Sequence, residues 1–160
     1  MAPDPADPVV RVAGAGDLGA LASLRARWSG GARADPAFER RMAEWLAADG
    51  DRRTTWLAML GEAPAGMASI LEYRRMPRPG QPDGRWGYVG TVFVREDVRG
   101  RGIGTALLHA VTTAADERRY ARLVLSPSAR SVALYRRAGF VVPDDAAGEH
   151  RLLVRPGRPR

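Results

Sequence analysis

The residues best suited to chemistry are Arg99-Gly100-Arg101-Gly102-Ile103-Gly104, which lie between a β-rich segment and a stretch of helical periodicity. Glycine adopts backbone angles closed to other residues and lets a ligand come close to the main chain. The first amides of a helix have no partner within it, and that end carries roughly half a positive charge. Arg99 and Arg101 add to the attraction, so the natural guest is an anion such as a pyrophosphate. The alternative is a turn in which the glycines serve geometry alone. The lysine and hydroxyl residue of a P-loop are missing, which argues against nucleotide hydrolysis.

A second glycine cluster, Gly14-Ala15-Gly16-Asp17-Leu18-Gly19, matches the dinucleotide fingerprint in spacing. That fingerprint requires a second parallel strand with an acidic residue about 20 positions on. Here a Gly- and Ala-rich loop and another helical segment follow, so the cluster reads as a turn with Asp17 as N-cap. Cysteine is absent, which removes disulfides, thiolate nucleophiles and thiolate metal sites together. The two imidazoles, His109 and His150, are expected to face solvent, and no metal site is expected.

The segment Val92-Phe93-Val94-Arg95-Glu96-Asp97-Val98-Arg99-Gly100-Arg101-Gly102-Ile103-Gly104 resembles the acetyl-coenzyme A motif of GCN5-related N-acetyltransferases (GNAT), an Arg or Gln followed by x-x-Gly-x-Gly/Ala. Leu134-Tyr135-Arg136-Arg137-Ala138-Gly139-Phe140 is similar to that family's second motif, at the separation the family requires. The resemblance implies a donor, acetyl-CoA, whose pantetheine arm pairs with the main chain of Val92, Phe93 and Val94 like an added strand. It further implies that the amides from Gly100 to Thr105 hold the pyrophosphate. Tyr135 would be the general acid that protonates the departing thiolate, since a phenol of pKa near 10 is protonated at neutral pH; the alternative is a core tyrosine beside Val132 and Ala138. Ser128 stands where the family usually has an asparagine that contacts the cofactor. No glutamate marks the general base, because Leu123 stands near the position some members use. Glu72 is the remaining candidate, reached through water, or else a solvated strand residue.

The function implied is N-acetyl transfer from acetyl-CoA to a primary amine of a small molecule or peptide, by direct attack and without an acyl-enzyme. The alternative is a non-catalytic acyl-CoA sensor or interaction module on the same fold. The acceptor is expected to meet the first two helices and the loop from Arg74 to Trp86, with Trp28, Phe38, Tyr73 and Trp86 as candidate walls or plain core.

The elements that must position these residues follow from periodicity. Val9–Val12 reads as a strand, and Leu18, Leu21, Leu24 and Trp28 as one face of a helix ended by Ser29-Gly30-Gly31. Asp35 and Pro36 open a second helix with Phe38, Met42, Trp45 and Leu46 on its apolar side. Thr54–Leu60 and Gly66–Tyr73 read as a hairpin with the five-residue loop Gly61 to Ala65, and Tyr88–Val94 as another strand. A helix with Ile103, Leu107, Val111 and Ala114 follows, then a strand at Leu123–Leu125. A last helix over Ser131–Ala138 is stopped by Gly139, with Phe140 closing its cap, and Arg151–Val154 forms a final strand. Hairpin-linked strands combined with one strand-helix-strand unit argue for an α+β fold, a mixed, mostly antiparallel sheet flanked by helices.

At 160 residues the chain reads as one domain over 1–160, with 1–7 and 156–160 expected to be flexible. Its 25 basic side chains, all arginine, outweigh 18 acidic ones, giving a net charge of +7 that suits polyphosphate, nucleic acid or acidic surfaces. No recognition helix or aromatic stacking ribbon supports nucleic acid. Without a signal-like N-terminus or a long apolar run, the chain is expected to be cytoplasmic, away from membranes. A homodimer is left open.

Overall fold

The structure, a computed structural model, describes residues 7–31, 33, 35–82, 84–143 and 152–158. Its elements run β1 (Val9–Val12), α1 (Leu18–Trp28), α2 (Pro36–Ala48), β2 (Arg53–Leu60), β3 (Ala63–Arg74), β4 (Arg85–Val94), α3 (Ile103–Glu117), β5 (Arg122–Leu125), α4 (Val132–Arg137) and β6 (Leu153–Pro156). The six strands form one sheet in chain order, antiparallel except for β4 and β5. Those two are parallel because α3 carries the chain back between them. This is the mixed α+β sheet expected from the pattern.

Both faces of the sheet are covered, which explains why β2 and β3 carry apolar residues with little alternation. On one face Trp56, Ala68, Ile70 and Val89 pack with Ile103, Leu107, Leu108 and Val111 of α3 and with Tyr135 of α4. On the other, Leu57, Met67 and Phe93 pack with Leu21 and Leu24 of α1. α2 buries no residue fully, so its apolar side is only partly sealed against the sheet. Its start is well made: Asp35 Oδ1 accepts the Phe38 N–H at 2.7 Å and Pro36 opens the first turn. No helix among the described residues is long and apolar enough to cross a membrane.

Four expectations need correction. The β2–β3 hairpin closes through Gly61 and Glu62, with Leu60 opposite Ala63 and Met59 opposite Pro64, rather than through a five-residue loop. Pro64 is tolerated there because a register shift follows directly and Ala65 is accommodated as a bulge. The carboxylate of Asp17 does not cap α1; it turns back to accept from Gly14 N–H and from Arg11. In α3, Ala115 rather than Ala114 completes the buried stripe, together with Leu108. The final strand is Leu153–Pro156, antiparallel to β5, and Arg151 lies outside the described residues, as does His150. Of the terminal segments, 1–6 and 159–160 also lie outside them, whereas Gly157 N–H reaches Ala121 C=O at 2.9 Å.

Candidate active site

β4 is paired with β3 along its length, from Arg74 opposite Arg85 to Gly66 opposite Val94. With β5 it shares only the pairs Gly87–Leu123 and Tyr88–Val124, after which the two parallel strands part. Which main-chain groups face the gap follows from alternation: Arg95 N–H donates to Ala65 C=O of β3 at 2.9 Å, so Phe93 and Thr91 also turn toward β3. Val92 and Val94 turn their N–H and C=O groups into the gap. Phe93 contributes its side chain instead, buried on the α1 face with its ring 5.7 Å from that of Trp28. The register slips between Ser69 and Ile70, leaving Gly90 as an extra residue in β4. Such a bulge re-aims the strand at the point where it leaves β5.

Beyond Val94 the chain makes a short 3-10 turn, Glu96–Val98, and enters the glycine turn. Arg95 braces this corner by donating to Pro64 C=O at 3.0 Å and to the Asp97 carboxylate, which it holds below the usual carboxylate range. Arg99 Nε reaches back to Val94 C=O at 3.2 Å. Gly100 and Gly102 have φ of +78° and +76°, where a side chain would be strained, and a Cβ on either would point into open space. Gly104 serves a different purpose: a Cβ there would stand 3.2 Å from Leu134 Cδ2, so its lack of a side chain lets α3 approach α4. The first helical bond of α3 runs from Ala106 N–H to Gly102 C=O at 2.9 Å. The amides of Ile103, Gly104 and Thr105 therefore lack helical partners, and Gly102 at the N-cap has no side chain to cap them. Arg101 lies exposed in the same turn.

Tyr135 is 7% exposed and stands on α4 over the α3 face of the sheet. Burial pushes its phenol up from the ordinary value, with the Ser131 hydroxyl pulling the other way, so the group keeps its proton at neutral pH. Ser128 is exposed just before α4, its Oγ 2.9 Å from Ser131 Oγ. Ser131 Oγ also donates to Ser128 C=O at 2.9 Å, which ties the loop to the helix that carries Tyr135.

On the opposite face of the sheet a cleft of about 440 Å³ opens between α1, α2 and the strands. Its floor includes Ser69, Gly90 and Thr91, so the β4 bulge lies between this cleft and the gap beside β5. Trp28 and Phe38 line it as expected, but Tyr73 and Trp86 do not; their rings stack on each other at 4.6 Å. None of the described residues from Arg74 to Trp86 borders it. Glu72 is not brought to the cleft either. It pairs with Gly87, whose missing Cβ would touch Ile70, Leu123 and Tyr120, so it stands on the α3 face. There it is 8% exposed, accepts from Tyr120 Oη at 2.8 Å and faces Arg74 and Arg85.

A family model for the acetyltransferase (GNAT) family matches residues 19–140. The chain belongs to the GNAT family. Among solved structures it is similar to a predicted acetyltransferase from Clostridium acetobutylicum, determined with acetyl-CoA, at a TM-score of 0.70 and 22% identity over 89% of this chain and 96% of that one. A Trypanosoma brucei acetyltransferase aligns with a TM-score of 0.71 and 20% identity, covering 89% of this chain and 99% of the other. A GNAT-family acetyltransferase from Streptococcus pneumoniae gives 0.69 and 20%, over 95% and 100%. At these identities the likeness is one of fold. No curated protein sequence matches this chain.

In this GNAT chain the turn and α4 are legible in the sequence, whereas the bulge at Gly90 and the cleft-lining Ser69, Arg25 and Arg41 are not among the residues it singles out. A glycine inside an otherwise β-rich run is a signal for a bulge. Nothing local marks the other three, because their position depends on how α1 and α2 settle on the sheet.

Proposed function

We propose that the protein transfers the acetyl group of acetyl-CoA to a primary amine by direct attack. The observation that carries this reading is the continuity of the β4 edge that β5 leaves free at Val92 and Val94, where Arg99 Nε reaches only the Val94 C=O, with the amides at the start of α3 that have no helical partner. An extended pantetheine arm carries amides suited to that edge, and a pyrophosphate suits the helix start. A groove of about 260 Å³ between α3 and α4, with Thr105, His109 and Arg137 among its walls, adjoins the turn and suits the nucleotide end. The thioester would then reach the bulge, where the cleft on the other face delivers the amine.

In the reaction the neutral amine attacks the thioester carbonyl, and a main-chain N–H of the Val92–Val94 segment stabilises the oxyanion. The C–S bond breaks, Tyr135 gives its proton to the thiolate, and the amine nitrogen loses a proton to solvent. The products are an N-acetylated amine and free coenzyme A. Holding both substrates together supplies much of the acceleration. Glu72 takes no part in this scheme, since it sits on the other face of the sheet engaged by Tyr120. Titration calorimetry with acetyl-CoA tests the donor site, with Gly102→Trp as the variant that blocks the turn. Free-thiol release with a panel of amines then tests transfer. Binding without release for any amine would favour the sensor reading, and absence of binding would overturn both.

A further inference from the structure

The walls of the cleft combine apolar surface with positive charge, and among the described residues no carboxylate lines it. Leu21, Arg25 and Trp28 fall at i, i+4 and i+7 on α1, and Phe38, Arg41 and Trp45 at i, i+3 and i+7 on α2. Both arginines therefore share the helix faces that border the cleft, where they stand solvent-exposed at its rim. Arg25 is held there, with Nη1 donating to Ser29 Oγ at 2.6 Å and the guanidinium 5.0 Å from the centre of the Trp28 ring. Trp28, stacked on Phe93, and Trp45, with the Arg53 guanidinium 3.7 Å over its ring, remain 44% and 48% exposed, which leaves part of their aromatic surface open to a guest.

The floor supplies an independent sign. Ser69 is 3% exposed, and its Oγ has no hydrogen-bond partner among the described residues. Leaving such a hydroxyl unpaired costs about 1–3 kcal/mol, and it lines the cleft beside Gly90 and Thr91. A donor group of a bound molecule at this end would satisfy it.

We infer that the acceptor is an amine with an apolar, preferably aromatic, body and an anionic group of the carboxylate class at the end remote from the amine. The amine meets Ser69 and Thr91 on the floor, the body lies against Trp28, Met42 and Trp45, and Arg25 and Arg41 take the anion. Polycationic amines are disfavoured, since the described residues of the cleft offer them two guanidinium groups and no counter-charge. The assignment of the amine to the floor rests on the acetyl-transfer reading; the preference for an anionic aromatic guest does not.

The test is calorimetric titration of 4-(2-aminoethyl)benzoate, its methyl ester and spermidine into the protein in excess coenzyme A. The carboxylate is expected to bind roughly tenfold or more tightly than the ester, as charge-assisted hydrogen bonds to arginine imply. In the Arg25→Gln/Arg41→Gln variant, with an unchanged thermal melt, the two affinities should come within about twofold of each other. No binding of the carboxylate, equal binding of acid and ester, or tighter binding of spermidine would overturn the inference. Because binding is read without turnover, the two readings fail separately. Selective carboxylate binding with no thiol release from any amine would sink acetyl transfer alone, and transfer without a preference for the carboxylate would sink the acceptor class alone.

Discussion

Phe140 stands edge-on to Tyr135, with ring centres 5.9 Å apart and planes at 65°, and its N–H donates to Tyr135 C=O at 3.1 Å. Together with Gly139 N–H to Arg136 C=O at 3.0 Å and a φ of +90° at Gly139, these bonds form a Schellman cap. One short motif thus ends α4 and clamps the side chain proposed as general acid.

Two substitutions separate these roles. Tyr135→Phe keeps the ring and the cap, so stability should change by less than about 1 kcal/mol, while kcat for thiol release falls about 100-fold. Phe140→Ala removes a fully buried ring and should cost about 3–5 kcal/mol, read as a lowered denaturant midpoint. Unchanged kcat in Tyr135→Phe would remove the phenol from the mechanism.

Glu72→Gln distinguishes a structural carboxylate from a base. The buried group accepts from Tyr120 Oη and faces Arg85 at 3.8 Å, so the variant should lose about 1–3 kcal/mol of stability. The pH profile of kcat/KM should keep its shape. A lost acidic limb in that profile would return Glu72 to the proton path.

α3 ends as α4 does, with Tyr120 N–H to Ala115 C=O at 2.9 Å and Arg119 N–H to Asp116 C=O at 3.0 Å, but its left-handed position is Arg119 at φ +56°. Arg119→Gly should relieve that strain and stabilise the fold by about 0.5–1 kcal/mol. Chemical denaturation checks this, and a destabilised variant would show that the arginine side chain contributes more than its backbone costs.

The Asp17 carboxyl is lowered to about 2, first by its hydrogen bond from Arg11 and then by Gly14 N–H. A folded pKa below the unfolded value of about 3.9 gives stability that is present above that value and is lost as pH falls toward the folded pKa. Stability should therefore drop between about pH 4 and 2, and Asp17→Asn should flatten that part of the profile. An unchanged slope in the variant would mean that other carboxylates carry the acid sensitivity.

What the sequence determined by itself was local. Gly100 and Gly102 announce a turn because few other residues accept their backbone angles, Asp35-Pro36 starts a helix through one side-chain bond, and Gly139-Phe140 stops one. Tertiary structure alone decided which face each strand residue occupies and what the helices enclose. Pro64 read as loop until β2 paired with it, and Glu72 read as reachable from the acceptor until register set it opposite Gly87, under Tyr120. Arg25 and Arg41 became cleft walls only when α1 and α2 settled against the sheet. The physical reason is range: caps and turns are set by neighbours a few residues away, whereas a strand's facing inverts with one bulge or one step of register, and both depend on partners distant in the chain.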